Sequence, residues 1–258
     1  GLTGAVCLAA EAAIRAGAGY ATAAVPGGLE PIFEVKLTEV MTAGVGGDDA
    51  RELSPDAVGA ILDHCRGADA VIAGSGLGRG VRRGELVAAL TLGIGAPLVL
   101  DADGLSATGT SLDPLRSRSA PTVLTPHSGE MGRLTGSRSA AVEARRLDSA
   151  RDLARDTGTI VVLKGDDTIV TDGERVAINR LAAPGLATAG TGDVLSGVIA
   201  ALLARRVDPF TAACAAVYAH ARAGAAAADR VGSADGVIAS DVITALPAAL
   251  VPVDRRVK

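Results

Sequence analysis

The glycine-rich stretch Ala189-Gly190-Thr191-Gly192-Asp193 is the strongest chemical signal in the sequence, and it leads into an apolar run that ends at Ala204. Glycines at the start of a helix let backbone N–H groups approach an anion closely, and the helix dipole adds positive potential, so the expected ligand is a phosphate. Asp193 has two interpretations: it caps the helix, or it is a general base that takes the proton of an attacking hydroxyl. We expect the dipole to keep the Asp193 carboxylate ionised.

Other charged residues follow apolar runs that are typical of buried strands. Lys164 comes directly after such a run, and Asp101 and Asp103 follow another. Wound α/β sheets bind ligands at the carboxyl ends of their strands, so these positions are candidate site residues. Lys164 either neutralises phosphate charge or is a solvated lysine in a turn. Asp101 and Asp103 either orient Mg²⁺ or water, or cap the helix that follows.

Several segments resemble, in the same order, those of the ADP/ATP-dependent NAD(P)H-hydrate dehydratases, which have a ribokinase-like fold. The resemblance covers nearly all of the chain, and its Gly190–Asp193 segment is similar to the anion hole of ribokinase-like small-molecule kinases. The segments are Gly1 to Ala5, Gly74 to Gly78, Asp101 to Leu105, Thr125 to Met131, Leu163 to Gly165, Gly190 to Asp193 and Gly236 to Pro247.

This resemblance implies a three-layer α/β/α ribokinase-like fold with a largely parallel central sheet. It also implies a lyase that repairs the S form of hydrated NADH or NADPH. A nucleotide, ADP or ATP, would phosphorylate the ring hydroxyl, and phosphate would then leave to regenerate the dihydropyridine. We expect Mg²⁺ to arrive with the nucleotide, because no His, Cys and Asp cluster in the sequence has metal-ligand spacing. The family also implies a homo-oligomer, possibly a tetramer.

The resemblance assigns roles to individual residues. Asp193 is the catalytic residue and also contacts the substrate. His127 has the best claim of the three histidines to bind substrate, and we expect His64 and His220 to be structural. The substrate-binding residues are Ala5, Gly76, His127 and Asp193. The nucleotide-binding residues are Lys164, Gly165, Asp166, Asp167, Thr168, Gly190, Thr191 and Gly192.

The sequence departs from the family pattern at three positions. Ser128 stands where the family usually has a proline. Ser75, in the glycine-rich turn, stands at a second position where the family usually has a proline. Ala183 replaces the second asparagine of the approach to the anion hole. The resemblance also implies that the family's first strand would precede Gly1.

Short apolar runs alternate with longer segments of helical period, which predicts a mostly parallel sheet covered by helices on both faces. We predict a single domain over residues 1–258. The predicted strands are Tyr20 to Val25, Ala70 to Ala73, Leu98 to Leu100, Thr122 to Leu124, Ile160 to Leu163 and Thr168 to Thr171, the last forming an edge hairpin with Arg175 to Asn179. The predicted helices are Thr3 to Ala18 (with Thr3 as N-cap), Pro55 to Arg66, Val81 to Leu92, Ala140 to Thr157, Asp193 to Ala204, Pro209 to Arg230 and Ala239 to Leu250.

Composition argues against several classes of partner. The formal net charge is −4 and only four residues are aromatic, so we expect no nucleic-acid partner. Charged or polar residues interrupt every apolar stretch before it reaches membrane-helix length, which predicts a soluble chain without a membrane partner. Three cysteines without CxxC spacing indicate reduced thiols and a cytoplasmic location.

Two other functions remain open at this point. A kinase of the same fold would phosphorylate a hydroxyalkyl group on a small heterocycle and would use Asp193 in the same way. A nucleotide-binding protein without turnover would need no base at that position. The sequence ranks neither ADP above ATP nor the hydrate of NADH above that of NADPH.

Overall fold

The computed structural model describes residues 2–78, 80, 82–181 and 183–251. The predicted helix start at Val81 and the first residue of the opening motif, Gly1, lie outside the described residues. The described part contains eight strands. They are β1 (Thr22–Pro26), β2 (Met41–Val45), β3 (Val71–Ala73), β4 (Leu98–Leu100), β5 (Thr122–Leu124), β6 (Ile160–Leu163), β7 (Thr168–Thr171) and β8 (Val176–Asn179).

The main sheet has six strands in the order β3-β4-β5-β6-β7-β8. The first four strands pair in parallel, whereas β7 and β8 add an antiparallel hairpin at one edge, as predicted. Strands β4, β5 and β6 are buried along their whole length, which explains why their sequences show no polar alternation. The largely parallel sheet is therefore confirmed.

The strand that we predicted from Tyr20 to Val25 lies outside this main sheet. It forms β1, which pairs in parallel with β2 as a separate two-stranded sheet. Strand β2 was not predicted, because its Gly44 and exposed Met41 weaken the apolar pattern.

Twelve α-helices are present in the described residues. They are α1 (Thr3–Arg15), α2 (Glu30–Lys36), α3 (Val58–Cys65), α4 (Arg83–Gly93), α5 (Ala102–Thr108), α6 (Asp113–Arg116), α7 (Ser128–Thr135), α8 (Ser139–Ala144), α9 (Arg146–Thr157), α10 (Thr191–Ala204), α11 (Pro209–Val231) and α12 (Ala239–Ala249).

Two helix predictions were wrong in detail. The segment from Ala140 to Thr157 is not one helix, because Arg145, with φ of −141°, separates α8 from α9. Thr3 is not an N-cap: Leu2 precedes the helix, and the Thr3 hydroxyl instead accepts a hydrogen bond from Lys36 Nζ at 2.8 Å. Three short helices, α2, α6 and α7, were not predicted, and α5 was expected only as the helix that Asp101 or Asp103 would cap.

Helices cover both faces of the main sheet, so the three-layer arrangement is confirmed. On one face Val99, Val123 and Val162 pack against α10, α11 and α12, with α1 beside them. On the other face Leu100, Leu124 and their neighbours pack against α4, α5, α7 and α9. Alternate residues of each strand thus enter opposite cores.

No described helix is both long enough and apolar enough to cross a membrane. All three cysteines are free: Cys7 is buried, and Cys65 and Cys214 are partly buried. Burial raises the pKa of each thiol, which disfavours the reactive thiolate.

Candidate active site

The carboxyl ends of neighbouring strands bring the candidate residues to one edge of the main sheet. Asp101 follows β4, His127 comes three residues after β5, and Lys164 follows β6. Because these strands are parallel, their carboxyl ends lie side by side, and loops that leave them form one surface.

Lys164 is at the centre of this group. Its Nζ lies 3.1 Å from Asp101 Oδ1 and 3.8 Å from Glu130 Oε2, and both carboxylates are buried. Burial alone would lower the pKa of Lys164, but attraction to Asp101, Glu130 and Asp193 raises it above its usual value. Lys164 is therefore a permanently charged, fixed cation, and the solvated-turn interpretation does not describe it.

Asp101 does cap the following helix, as the more conservative interpretation held. Its Oδ1 accepts from the backbone N–H of Ala102 at 2.8 Å, in addition to Lys164. Its Oδ2 accepts from the Ser196 hydroxyl at 2.6 Å. Asp101 thus joins β4, α5, Lys164 and α10 through one buried carboxylate. Asp103 accepts from the backbone N–H of Gly78 at 2.8 Å and shapes the glycine-rich turn after β3.

Asp193 is the third residue of α10, so it is not the N-cap, which is Gly190. Burial raises the pKa of Asp193 to about 6, and the nearby carboxylates of Asp101 and Asp103 add to this, whereas Ser75 and Lys164 oppose it. Desolvation by burial is the largest of these effects. A carboxylate with a pKa of about 6 is still mostly ionised at pH 7 and is a stronger base than an exposed aspartate.

The start of α10 lies directly beside the lysine. A Cβ placed on Gly192 would be 3.4 Å from Lys164 Nζ. The backbone N–H groups of Gly192 and Asp193 belong to the first helical turn, where no carbonyl within the helix accepts from them. The Thr191 side chain points elsewhere: it is buried, and its hydroxyl lies 2.6 Å from the Leu186 carbonyl oxygen. Any contact of Thr191 with a nucleotide would therefore come from its backbone.

His127 is the N-cap of α7. Its Nδ1 accepts from the backbone N–H groups of Gly129 at 2.9 Å and Glu130 at 3.3 Å, while Glu130 Oε2 accepts from the His127 backbone N–H at 2.9 Å. Because Nδ1 is the acceptor, the neutral ring carries its proton on Nε2. Nε2 lies 3.5 Å from Glu130 Oε1, and about half of the His127 side chain is exposed, which leaves the ring open to a ligand.

Ala5 and Gly76 are neighbours in the structure. A Cβ placed on Gly76 would lie 3.7 Å from the Ala5 Cβ and 2.9 Å from the Leu2 carbonyl oxygen. Gly76 has φ of +74°, a conformation that favours glycine. The absence of a side chain there thus lets α1 approach the turn after β3, and this packing brings Ala5 to the turn that contains Ser75.

The remaining predicted nucleotide residues form an exposed loop between β6 and β7. Gly165, Asp166 and Asp167 are exposed, and the Thr168 hydroxyl donates to the Gly165 carbonyl oxygen at 3.1 Å, which closes the turn. The negative side chains of Asp166 and Asp167 would repel phosphate, so the loop offers a nucleotide its main chain.

Two residues of this group, Glu130 and Ser196, were not predicted from the sequence. Glu130 stands three residues after His127, and this is the spacing of a capping box, which could have identified it. Ser196 is a polar residue within the apolar run of α10, and a buried hydroxyl needs a partner. His220 is buried in α11, and burial lowers its pKa to about 4, so its ring is neutral, as suits a structural residue.

The described residues include no group of three or more His, Cys, Asp or Glu side chains arranged to hold a metal ion. Asp101 and Glu130 are already paired with Lys164. What the edge does offer is a raised-pKa carboxylate, a fixed cation and unpaired helix N–H groups. These features suit transfer of a phosphoryl group to a hydroxyl.

Comparison with known protein families identifies relatives of this chain. The family model described as NAD(P)H-hydrate dehydratase matches residues 1–248. The bifunctional NAD(P)H-hydrate repair enzyme Nnr of Moorella thermoacetica is 42% identical over 96% of this chain and 47% of its own length. The chain thus spans about half the length of such bifunctional relatives.

Two further proteins are similar over most of their own length. The ADP-dependent (S)-NAD(P)H-hydrate dehydratase of Xanthomonas campestris is 36% identical over 96% of this chain and 83% of its own. A Bacillus subtilis ADP/ATP-dependent NAD(P)H-hydrate dehydratase, co-crystallised with ATP/Mg²⁺, superposes with a TM-score of 0.76 at 27% identity, covering 96% of this chain and 84% of the other. The fold is ribokinase-like, as the sequence resemblance implied.

Proposed function

From the premise that this chain belongs to the NAD(P)H-hydrate dehydratase family, we propose that it dehydrates the S form of hydrated NADH or NADPH at the expense of ADP or ATP. The observation that carries the proposal is the position of Asp193, a base with a pKa of about 6, on the helix turn that adjoins the Lys164 ammonium. The Xanthomonas and Bacillus proteins carry the same activity in their names.

In the proposed reaction Asp193 accepts the proton of the ring hydroxyl as that oxygen attacks the terminal phosphoryl group of the nucleotide. The N–H groups of Gly192 and Asp193 donate to the phosphoryl oxygens, and Lys164 balances their charge. The product is a phosphate ester, and phosphate is a far better leaving group than hydroxide. The ring nitrogen donates electrons as the C–O bond breaks, and loss of a ring proton then restores the double bond.

The substrate would lie against His127, Ala5 and Gly76, and the nucleotide against Lys164 to Thr168 and Gly190 to Gly192. His127 supports a substrate contact because about half of its side chain is exposed at this edge of the sheet. Mg²⁺ would arrive bound to the nucleotide, where it would neutralise the phosphates, since Asp101 and Glu130 are occupied by Lys164.

Two broader features belong to the same proposal. A cytoplasmic location is supported by three free thiols, which a reducing compartment would preserve. A homo-oligomer is supported by exposed apolar side chains at Tyr20, Val35 and Met41. The small residues of α1 and α11 pack largely within the chain.

The test is to follow dihydronicotinamide absorbance after ADP or ATP with Mg²⁺ is added to hydrated NADH. Recovery of the absorbance with release of phosphate supports the proposal. Accumulation of a phosphorylated product without recovery would instead indicate a kinase. Nucleotide binding with no change in the hydrate would indicate a binding protein without turnover.

A further inference from the structure

Arg146, the first residue of α9, lies behind the loop that joins β6 to β7. Its Nη2 is 3.2 Å from the carbonyl oxygen of Leu163, 3.2 Å from that of Lys164 and 3.1 Å from that of Asp167. The guanidinium is mostly buried, although α9 begins at the surface. One side chain therefore holds three main-chain carbonyls of a single short loop.

Gly165 makes room for this contact. A Cβ placed on Gly165 would lie 2.5 Å from Arg146 Nη2 and 2.8 Å from Nη1, closer than any real carbon contact. Any larger residue at 165 would displace the guanidinium from the loop. The glycine after Lys164 is thus explained by the arginine beneath it.

The same guanidinium also reaches the turn that contains His127. Arg146 Nη1 lies 3.2 Å from Ser128 Oγ and 3.3 Å from Glu143 Oε2, and the Ser128 hydroxyl donates to Glu143. A proline at 128 would offer no hydroxyl for this link. The Lys164 backbone N–H donates to the Pro126 carbonyl oxygen at 2.9 Å, so the loop and the turn are joined at two points.

We propose that Arg146 is a positioning residue that fixes the main chain of residues 163–167, and with it Lys164, against the His127 turn. In a trans peptide the carbonyl and the following N–H point in opposite directions, so carbonyls that face Arg146 direct the N–H groups of Gly165 and Thr168 away from it. Arginine suits this role because its planar fork carries five donors, whereas lysine presents a point charge. An effect of Arg146 on nucleotide binding rests on the proposed function. Its effect on the main chain of residues 163–167 does not depend on that function.

Three variants test the role: Arg146→Met, Arg146→Lys and the matched control Arg145→Met. Arg145 is the exposed neighbour and pairs with Asp148 on its own helix. The readouts are ADP affinity by calorimetry, KM for nucleotide and for hydrate, kcat, and Tm. We expect Arg146→Met to weaken ADP binding by about tenfold, with a smaller loss for Arg146→Lys and none for the control. A folded Arg146→Met protein with wild-type ADP affinity would overturn the role.

A double-mutant cycle separates positioning from general destabilisation. Gly165→Ala should weaken ADP binding in the wild-type background, because its methyl displaces the guanidinium. In an Arg146→Ala background Gly165→Ala should not weaken ADP binding further, because the guanidinium that the methyl group would displace is absent. Additive losses would contradict the inference.

A measurement without ligand keeps this inference distinct from the proposed function. Hydrogen–deuterium exchange of amides 163–168 should be faster in Arg146→Lys than in wild type, and unchanged in Arg145→Met. Unchanged exchange in Arg146→Lys would refute the positioning role whether or not the protein turns over hydrated NADH. A wild-type protein that lacks turnover but shows the expected exchange pattern would refute only the proposed function.

Discussion

Asp101 connects Lys164 to the helix that carries Asp193. One of its carboxylate oxygens lies 3.1 Å from the Lys164 ammonium, and the other accepts from Ser196, three residues after Asp193 on α10. Because Asp101 is fully buried, neither contact competes with bulk water. Asp101 therefore fixes the position of the proposed cation, Lys164, relative to the helix that carries the proposed base, Asp193. Asp101 itself needs no contact with the substrate.

Replacing Lys164 by methionine should destabilise the protein. The change leaves the Asp101 carboxylate buried with only Ser196 and the Ala102 N–H as partners, and breaking a buried ion pair by removing one member costs roughly 3 kcal/mol. Urea unfolding would measure the loss. The double variant Lys164→Met with Asp101→Asn should recover much of it, because the uncompensated charge is gone. Equal stabilities of the single and double variants would show that Asp101 is satisfied without the lysine.

His127 has both a structural and a proposed binding role, and two substitutions distinguish them. Asparagine is a good N-cap, so His127→Asn should keep the free energy of unfolding close to wild type, whereas His127→Ala should lose about 1 kcal/mol. Both variants remove the exposed ring N–H, so both should raise KM for the hydrate while KM for the nucleotide stays unchanged. Thermal unfolding and steady-state kinetics give the two readouts. An Asn variant with wild-type kinetics would leave His127 with the capping role alone.

The main sheet and its helical cover could be predicted because β4, β5 and β6 are uninterrupted apolar runs. The paired strand β2 could not, since its residues are small and partly exposed. At the site, Lys164 and Asp193 stood out by type and position, and the family resemblance added His127. Arg146 did not stand out, because the loop contacts that give it this role are to main-chain carbonyls 17 to 21 residues away, and no side-chain pattern records such contacts.

The raised pKa of Asp193 could not be predicted from its place in a helix turn. The helix dipole depends only on the local helix, whereas the burial of Asp193 and its distance from the Asp101 and Asp103 carboxylates depend on the whole fold. The sequence resemblance was enough to identify Asp193 as a site residue. Its pKa depends on the neighbours that the fold brings around it.

Asp193→Asn should make the protein more stable at neutral and alkaline pH. The folded-state pKa of about 6 lies above the ordinary value of 3.8, so the folded state holds this proton more tightly than the unfolded state. The aspartate therefore destabilises the fold fully above pH 6 and not at all below pH 3.8. Melting curves of both proteins should differ at pH 8, with the variant higher, and converge near pH 4. A variant that melts below wild type at pH 8 would mean that the ionised carboxylate is well solvated or well paired.

The pH dependence of turnover should follow the same ionisation. A base must be deprotonated to accept the hydroxyl proton, so kcat/KM for the hydrate should fall about tenfold per pH unit below pH 6 and level off above it. Lys164 opposes the rise in the pKa of Asp193, so Lys164→Met should move the inflection to higher pH. Asp193→Asn should lower the plateau by a factor on the order of 10² to 10⁴, the usual contribution of a general base, while ADP affinity stays close to wild type. Rates measured from pH 4.5 to 8.5 test all three expectations, and a flat profile across that range would remove Asp193 from the proton transfer.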